Sequence, residues 1–423
     1  MKSSILYQKT ISYLFLIKNN KKVVENYFFM TVLQLLNSFF YLLIYPYLIR
    51  VLGSENYGTF VFATSLSSYF LFFLNFGFDL PATKFVAENY IRKTELSHVL
   101  SSIFTAKSIL FFISLTLFIV SVFVNDFLNS NKELYLVVFL SIYSYVLFPQ
   151  WFFQGIQNMK IVTSIQLITK IMSLPFIFIL VKNSNDIINY AYITTITNLV
   201  AAFIAYLIIR FKYDLRIGFE SINSLKPWFK ESQAFFYSNL AATIKEYSIP
   251  IIIGSFFGMK EVALYDLANK IVVVPRTLIL SINAAIFPKL ITNINNRVVK
   301  RLILAEFVLS LLIIFLIIIF GKWAVTLLGG VEMTAAYPLA ILMSITIISW
   351  LVVGAFIYFV FIPNNKSYLV TINQVIALFS FFGMSLTGLF LYNNINVFGA
   401  ALAFSGMLEI LFCIYITKKY RLL

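Results

Sequence analysis

Apolar runs separated by short polar segments recur along the whole chain. A helix needs about 20 mostly apolar residues to cross a bilayer. The runs predict twelve such helices, over residues 26–49, 57–79, 99–124, 134–156, 161–181, 187–209, 232–256, 261–287, 301–320, 336–361, 367–391 and 396–417. Alternating apolar and polar positions do not dominate any stretch. Backbone groups in lipid must be satisfied within the segment itself, so these runs are expected as helices and not as strands of a barrel.

One stretch organises the pattern. Gly53-Ser-Glu-Asn-Tyr-Gly58-Thr-Phe60-Val-Phe-Ala63 has an echo at Gly258-Met-Lys-Glu-Val-Ala263-Leu-Tyr265-Asp-Leu-Ala268, offset by 205 residues without a gap. Each copy follows a long apolar run and opens the next. Glycine turns between apolar helices also recur by chance, so the echo alone leaves coincidence open. Read as an internal duplication, it divides the chain into residues 1–210 (six helices), a linker at 211–231, and residues 232–423 (six helices). Transporters are often built from such repeats, with the substrate site between the halves.

Composition confirms the solvent. The 423 residues are 61% hydrophobic and only 12% charged, a balance for lipid and not for water. The net charge of +15 is not a nucleic-acid signal here. Twenty-two of the 32 Lys and Arg fall in one set of connecting segments, five in the other set and five inside the spans. Cytoplasmic loops are the ones enriched in Lys and Arg, so both termini are expected in the cytoplasm. Residues 1–25 are basic, and the run after them is too long for a signal-peptide core. Ile5 to Ile17 are expected either as a short interfacial helix or without order. The outside loops are short, the longest at about 321–335, which excludes an extracellular catalytic or receptor domain. The linker carries Leu215, Ile217, Phe219, Ile222, Trp228 and Phe229 among charges and is expected along the membrane surface. A single Cys413 and a single His98 leave no disulfide, thiolate cluster or histidine triad. No metal site or cofactor is implied.

The charges inside the spans are the candidate chemistry. A charge at the bilayer centre costs roughly 2.5–3.5 kcal/mol on insertion scales, so each needs a reason. The cations are Lys107, Lys170, Lys245, Lys270 and Arg276, and the anions are Glu246, Asp266, Glu306 and Glu409, with Asp79 at a helix end. Lys107 lies nearer the cytoplasmic end, where its stem can snorkel. Asp266 and Lys270 are four apart and can simply pair. Polar stripes accompany them: Thr163, Gln166, Lys170 and Ser173 share one helical face, as do Gln34, Asn37, Ser38, Tyr41 and Tyr45. The 205-residue offset carries Gln34 onto Asn239, whose face continues through Ala242 to Lys245 and Glu246. Helix–helix hydrogen bonding accounts for any one stripe. Several stripes with five buried cations favour a wet cavity. Pro149, Pro175, Pro250 and Pro275 bend helices around it. The surplus of cations favours an anionic substrate such as a phosphate or pyrophosphate.

Three stretches carry a resemblance. Phe148-Pro149-Gln150-Trp151-Phe152-Phe153-Gln154-Gly155-Ile156-Gln157-Asn158-Met159-Lys160 is similar to the fourth-helix signature of Wzx-type O-antigen and exopolysaccharide flippases. These belong to the multidrug/oligosaccharidyl-lipid/polysaccharide (MOP) exporter superfamily. Arg50-Val-Leu-Gly53-Ser-Glu55-Asn-Tyr-Gly58 and Asn75-Phe-Gly77-Phe-Asp-Leu-Pro-Ala82-Thr83-Lys84 match as well. The resemblance covers nearly the whole chain. It implies an all-α membrane protein of about twelve helices, in two pseudo-symmetric six-helix bundles around a central cavity. It implies transport of an undecaprenyl-pyrophosphate-linked oligosaccharide across a bacterial inner membrane by alternating access, driven by an ion gradient. Lys107, Lys170, Lys245, Lys270 and Arg276 would hold the pyrophosphate, Gln34, Asn37, Gln166 and Asn239 would line the cavity, and Glu246, Asp266 or Glu409 would carry a coupling ion. A polysaccharide polymerase and a chain-length regulator are the implied protein partners. Two alternatives stand beside it: a drug or cation antiporter of the same superfamily, which predicts acid-dominated lobes, and a membrane polymerase, which usually carries a large extracellular loop.

Overall fold

The computed structural model describes residues 21–89, 91–291, 296–364, 366 and 368–423, with side chains from 278 to 291 and at 21–24 and 27 left aside. The interfacial helix considered between Ile5 and Ile17 lies outside the described residues. Every regular element among the described residues is helical. The helices are α1 (Lys21–Asn75), α2 (Asp79–Asn89), α3 (Lys93–Val124), a broken α4 (Lys132–Gly155), α5 (Met159–Leu180) and α6 (Ile187–Phe211). They continue with α7 (Ile222–Phe256), α8 (Met259–Ile291), α9 (Asn296–Gly329), α10 (Ala336–Phe361), α11 (Tyr368–Leu391) and α12 (Asn396–Lys419). Nine helical stretches of the described residues are long and apolar enough to span a bilayer. The first of them, Phe28–Asn75, is folded back at Gly53 and holds two of the expected spans. The more polar α7 and α8 cover the remaining two.

The glycines explain the folds in the path. Gly53 (φ 79°) and Gly258 (φ 97°) both adopt a left-handed backbone, which L side chains rarely do. The expected break at 50–56 is therefore a single residue, and helix runs right up to it. α9 also exceeds its expected span, because Trp323, Val325 and Leu328 continue the apolar run to Gly329. Pro149 splits α4, while Pro46, Pro175 and Pro250 sit inside continuous helices.

Three apolar cores show how the halves meet. One joins residues from Ile44 to Ile193 with residues from Ile249 to Ala401. A second contains only residues from Leu33 to Trp228, and a third only residues from Val299 to Ile416. The halves thus share a core around the two glycine turns and have separate cores away from them. At the shared end, a Cβ on Gly58 would overlap the Met259 carbonyl, and one on Gly254 would overlap the Phe62 ring. The Tyr45 hydroxyl donates to the Ala263 carbonyl at 3.4 Å. The two copies of the repeated stretch are packed directly against each other.

The signature stretches are mostly packing devices. Trp151, Phe152 and Phe153 are buried, and a Cβ on Gly155 would sit 2.7 Å from Val86. The Asn26 carboxamide oxygen accepts from the Met159 amide at 2.8 Å, tying α1 to α5. Gln154 is exposed. At Asn75–Asp79 the chain turns through Gly77 (φ 77°), where a Cβ would lie 2.9 Å from the Ser232 carbonyl. The linker is pinned to α3. Ser97 accepts from the Arg216 amide (3.2 Å), Ser101 from Gly218 (3.1 Å) and Thr105 from Glu220 (2.9 Å), alternate residues of an extended chain meeting one hydroxyl per helical turn. The first turns of α7 then pack on the first half: Phe229 on Phe76 and Phe78, and Trp228 on Phe85.

Gly58→Ala is expected to destabilise the protein by ~1–3 kcal/mol through overpacking. Gly383→Ala, which meets open space, should leave it unchanged or slightly stabilised. Thermal unfolding of the two purified variants in detergent checks this, and equal melting curves would remove the close approach as a constraint.

Candidate functional site

A cavity of about 610 Å³ lies between the halves, beside the shared core. α1 contributes Met30, Thr31, Gln34, Val61 and Ser65; α7 contributes Ala242, Lys245 and Glu246. α8 adds Tyr265, Asp266, Asn269 and Arg276, and α10 presents Thr346, Ser349, Trp350, Gly354 and Tyr358. Tyr247 of α7, Gln374 of α11, and Ser405 and Glu409 of α12 are further polar groups of its wall. The expected face Gln34, Ala242, Lys245 and Glu246 does line this space. Asn239 is exposed, its amide donating to the Phe235 carbonyl at 3.0 Å, and it is not part of the wall.

The five cations do not converge. Lys107 is buried away from the cavity, donating to the Asn75 carboxamide and the Asp79 carboxylate, both at 3.0 Å. It thereby fixes the α1–α2 turn. Lys170 bonds the Asn37 carboxamide, and its ammonium lies 5.1 Å from the Phe40 ring and 5.8 Å from Tyr41. Gln166, one turn before it on α5, is half-buried and outside the cavity wall. Lys270 pairs with Asp266, and its ammonium sits 5.0 Å from the Tyr45 ring and 5.2 Å from the Tyr41 ring. The Tyr57 hydroxyl is within 3.0 Å of the Asp266 carboxylate and 2.9 Å of the Lys270 ammonium. A first-half phenol thus holds a second-half ion pair at the shared end.

Two cations remain on the cavity wall. Lys245 of α7 pairs with Glu409 of α12 at 3.2 Å, and Asn373 of α11 donates to the other carboxylate oxygen at 3.3 Å. Arg276 lays its guanidinium 3.6 Å from the centre of the Trp350 ring, and its buried Nε has no hydrogen-bond partner. Pairing therefore cancels Lys245 against Glu409 and Lys270 against Asp266. Arg276 and Glu246 are the cavity charges left without an ion pair among the described residues. An Arg fork with an uncommitted N–H, stacked on an indole, suits a phosphate-type oxyanion. The sequence pattern pointed to charges and missed Trp350, Gly354, Tyr358 and Tyr57. A mid-span tryptophan on the same face as a glycine and a tyrosine, at intervals of four, was the signal available.

A shared core, divided outer cores and a polar cavity between them give this chain the fold of solved MOP-type membrane transporters. The chain spans the membrane many times, and its fold matches solved members of that class. Lipid II flippase MurJ superposes with a TM-score of 0.68 at 15% identity, over 93% of this chain and 87% of that one. A multidrug resistance MATE transporter of the MOP superfamily, in an inward-facing conformation, gives 0.62 at 13% identity, over 92% and 94%.

The chain belongs to the polysaccharide biosynthesis protein family, whose model matches residues 23–294. A protein of Escherichia coli (strain K12), provisionally named an O-antigen transporter, is 26% identical over 288 residues, 68% of this chain and 69% of that protein. A Shigella dysenteriae protein of the same name is 28% identical over 257 residues, 60% of this chain and 64% of the relative.

Removing one partner of a largely buried ion pair strands the other charge. Lys245→Met and Glu409→Gln are each expected to lower the melting temperature, and the double variant is expected to recover part of the loss. A double-mutant cycle on thermal melts measures it; strictly additive losses would show that the two side chains are not coupled.

Proposed function

We propose that this protein flips an undecaprenyl-pyrophosphate-linked oligosaccharide across the bacterial inner membrane by alternating access. Family membership and the Arg276 guanidinium, on the wall of a cavity between halves with separate outer cores and without an ion pair among the described residues, carry the reading. The halves are taken as residues 1–210 and 232–423 joined by 211–231, with the glycine-turn end periplasmic and both termini cytoplasmic. On this assignment the cavity opens to the side where lipid-linked sugars are made. Arg276 receives the pyrophosphate. Lys245 joins it when Glu409 is protonated or turns away, and Glu246, which makes no close ion pair but feels the charge of Arg276, is the first group for a coupling proton or cation. Lys170, which lies off this cavity wall and has no carboxylate partner among the described residues, meets the pyrophosphate in a later state of the cycle, after the halves have moved. The polysaccharide polymerase and chain-length regulator act downstream on the delivered unit.

One observation favours a second reading. The cavity wall holds three carboxylates, Glu246, Asp266 and Glu409, against Lys245 and Arg276, a balance that also suits a cationic substrate. Two of those carboxylates are already neutralised by lysines, which leaves the antiporter reading to rest on Glu246 alone.

Cells lacking the gene test the assignment. Surface polymer should vanish while complete lipid-linked units collect on the cytoplasmic leaflet. Unpolymerised units on the outer leaflet would instead mark a polymerase, and unchanged polymer with lost drug efflux an antiporter. In complementation, Arg276→Ala should cut polymer output at least ~10-fold, the loss of about 1.4 kcal/mol, at normal protein level. Lys170→Ala should impair output more than Lys170→Arg, and equal activity of both would remove Lys170 from the site.

A further inference from the structure

Resting on the flippase reading, we propose that Trp350, Gly354 and Tyr358 of α10 form a carbohydrate slot that stacks the sugar nearest the pyrophosphate. These residues lie four apart, on one face of a helix, and all three line the cavity. Arg276 covers one face of the Trp350 indole at 3.6 Å, yet Trp350 as a residue remains 45% exposed and lines the cavity, which leaves surface for a second partner. Between the two aromatic rings the wall is bare. A Cβ built on Gly354 meets nothing within 4 Å, so this glycine is not required for packing or backbone strain and instead leaves a recess. Helical rise separates Trp350 from Tyr358 by about 12 Å, the span of one or two sugar rings laid along the helix. The backbone itself changes there: Ile357–Phe361 form a π-helical turn, with the Ile362 amide bonding the Ile357 carbonyl at 3.0 Å. Such turns occur mostly where function demands a re-aimed side chain, and this one carries Tyr358. Ser349, next to Trp350, adds a hydroxyl to the same wall.

The arrangement fits a two-part headgroup. The apolar C–H face of a pyranose stacks on an indole, while its hydroxyls need partners at the rim. Arg276 shares the indole with the sugar, so pyrophosphate and first sugar are read on adjoining surfaces. The register between charge and ring is fixed by one stacked pair. The same wall would discriminate against a bare polyprenyl pyrophosphate, which fills the Arg276 position and leaves Trp350 and the recess empty.

The test compares two probes on the purified full chain: undecaprenyl pyrophosphate without sugar, and the lipid-linked saccharide extracted from cells that carry this protein. The wild type should bind the sugar-bearing lipid about tenfold tighter, a difference of ~1.4 kcal/mol. Gly354→Leu should abolish that preference and leave binding of the bare lipid unchanged; Trp350→Ala should abolish it while also weakening the bare lipid through loss of the Arg276 platform, and Trp350→Phe should keep part of it. Because a side chain at 354 enters open space, Gly354→Leu should melt like the wild type, which separates blockage from misfolding. Arg276→Ala should weaken both probes. A preference that survives Trp350→Ala and Gly354→Leu overturns the slot while the flippase reading stands. Failure of the wild type to bind either lipid overturns both.

Discussion

Everything in this structure depends on two backbones that touch. At Gly58 the second arm of α1 comes so near the Met259 carbonyl that no side chain fits between them. Around that contact the halves share one apolar core, and beyond it each keeps a core of its own. The space between the divided cores becomes the cavity. A bulkier residue at the contact would separate the arms and with them Tyr45 from Ala263 and Tyr57 from Asp266. Those bonds cross between the halves. The apolar contact and the tyrosine bridge together hold this end shut.

Electrostatics in the interior is arranged around that geometry. Lys107 holds a turn, Lys270 completes a closed end, and Lys245 ties three helices of the second half through Glu409 and Asn373. A buried pair gains little stability in itself, but a broken one is costly. Each of these lysines thus selects one arrangement of helices over others. Arg276 differs in kind: its stacking partner is neutral, and its Nε is unspent. Among the cations of the cavity it is the one without an ion pair.

Much of this was legible in the chain, and the boundary of legibility has a physical cause. Apolar run length announces a span whatever the neighbours are, and so the helices fall where the runs lie. The glycine echo announced two matching turns, because a left-handed residue leaves its mark in the residue type itself. Lys270 with Asp266 was visible because helical spacing makes partners of residues four apart. Lys107 with Asp79 and Lys245 with Glu409 were not, since those partners are brought together by helix packing across 28 and 164 residues. The surplus of cations that pointed to an anionic ligand is largely absorbed by such pairs. Asn239 shows the opposite error, a polar residue on the expected stripe that bonds its own helix and faces away. Trp350 was hidden for a third reason: an aromatic on a lipid-facing side and one on a cavity wall look alike until the wall exists.

The connector between the halves deserves a mechanical reading. Its extended backbone is laced to α3 through Ser97, Ser101 and Thr105, and the first turns of α7 continue onto the same half. Further along, Ile249 and Ile253 of α7 belong to the shared core. The linker between the two expected halves is therefore not where the chain leaves the first half; that happens within α7. On the proposed alternating access, any slack between the halves would be taken up by a single helix and not by a loop: α7 would flex like a leaf spring, clamped at its root and carrying Lys245, Glu246 and Pro250 along its length.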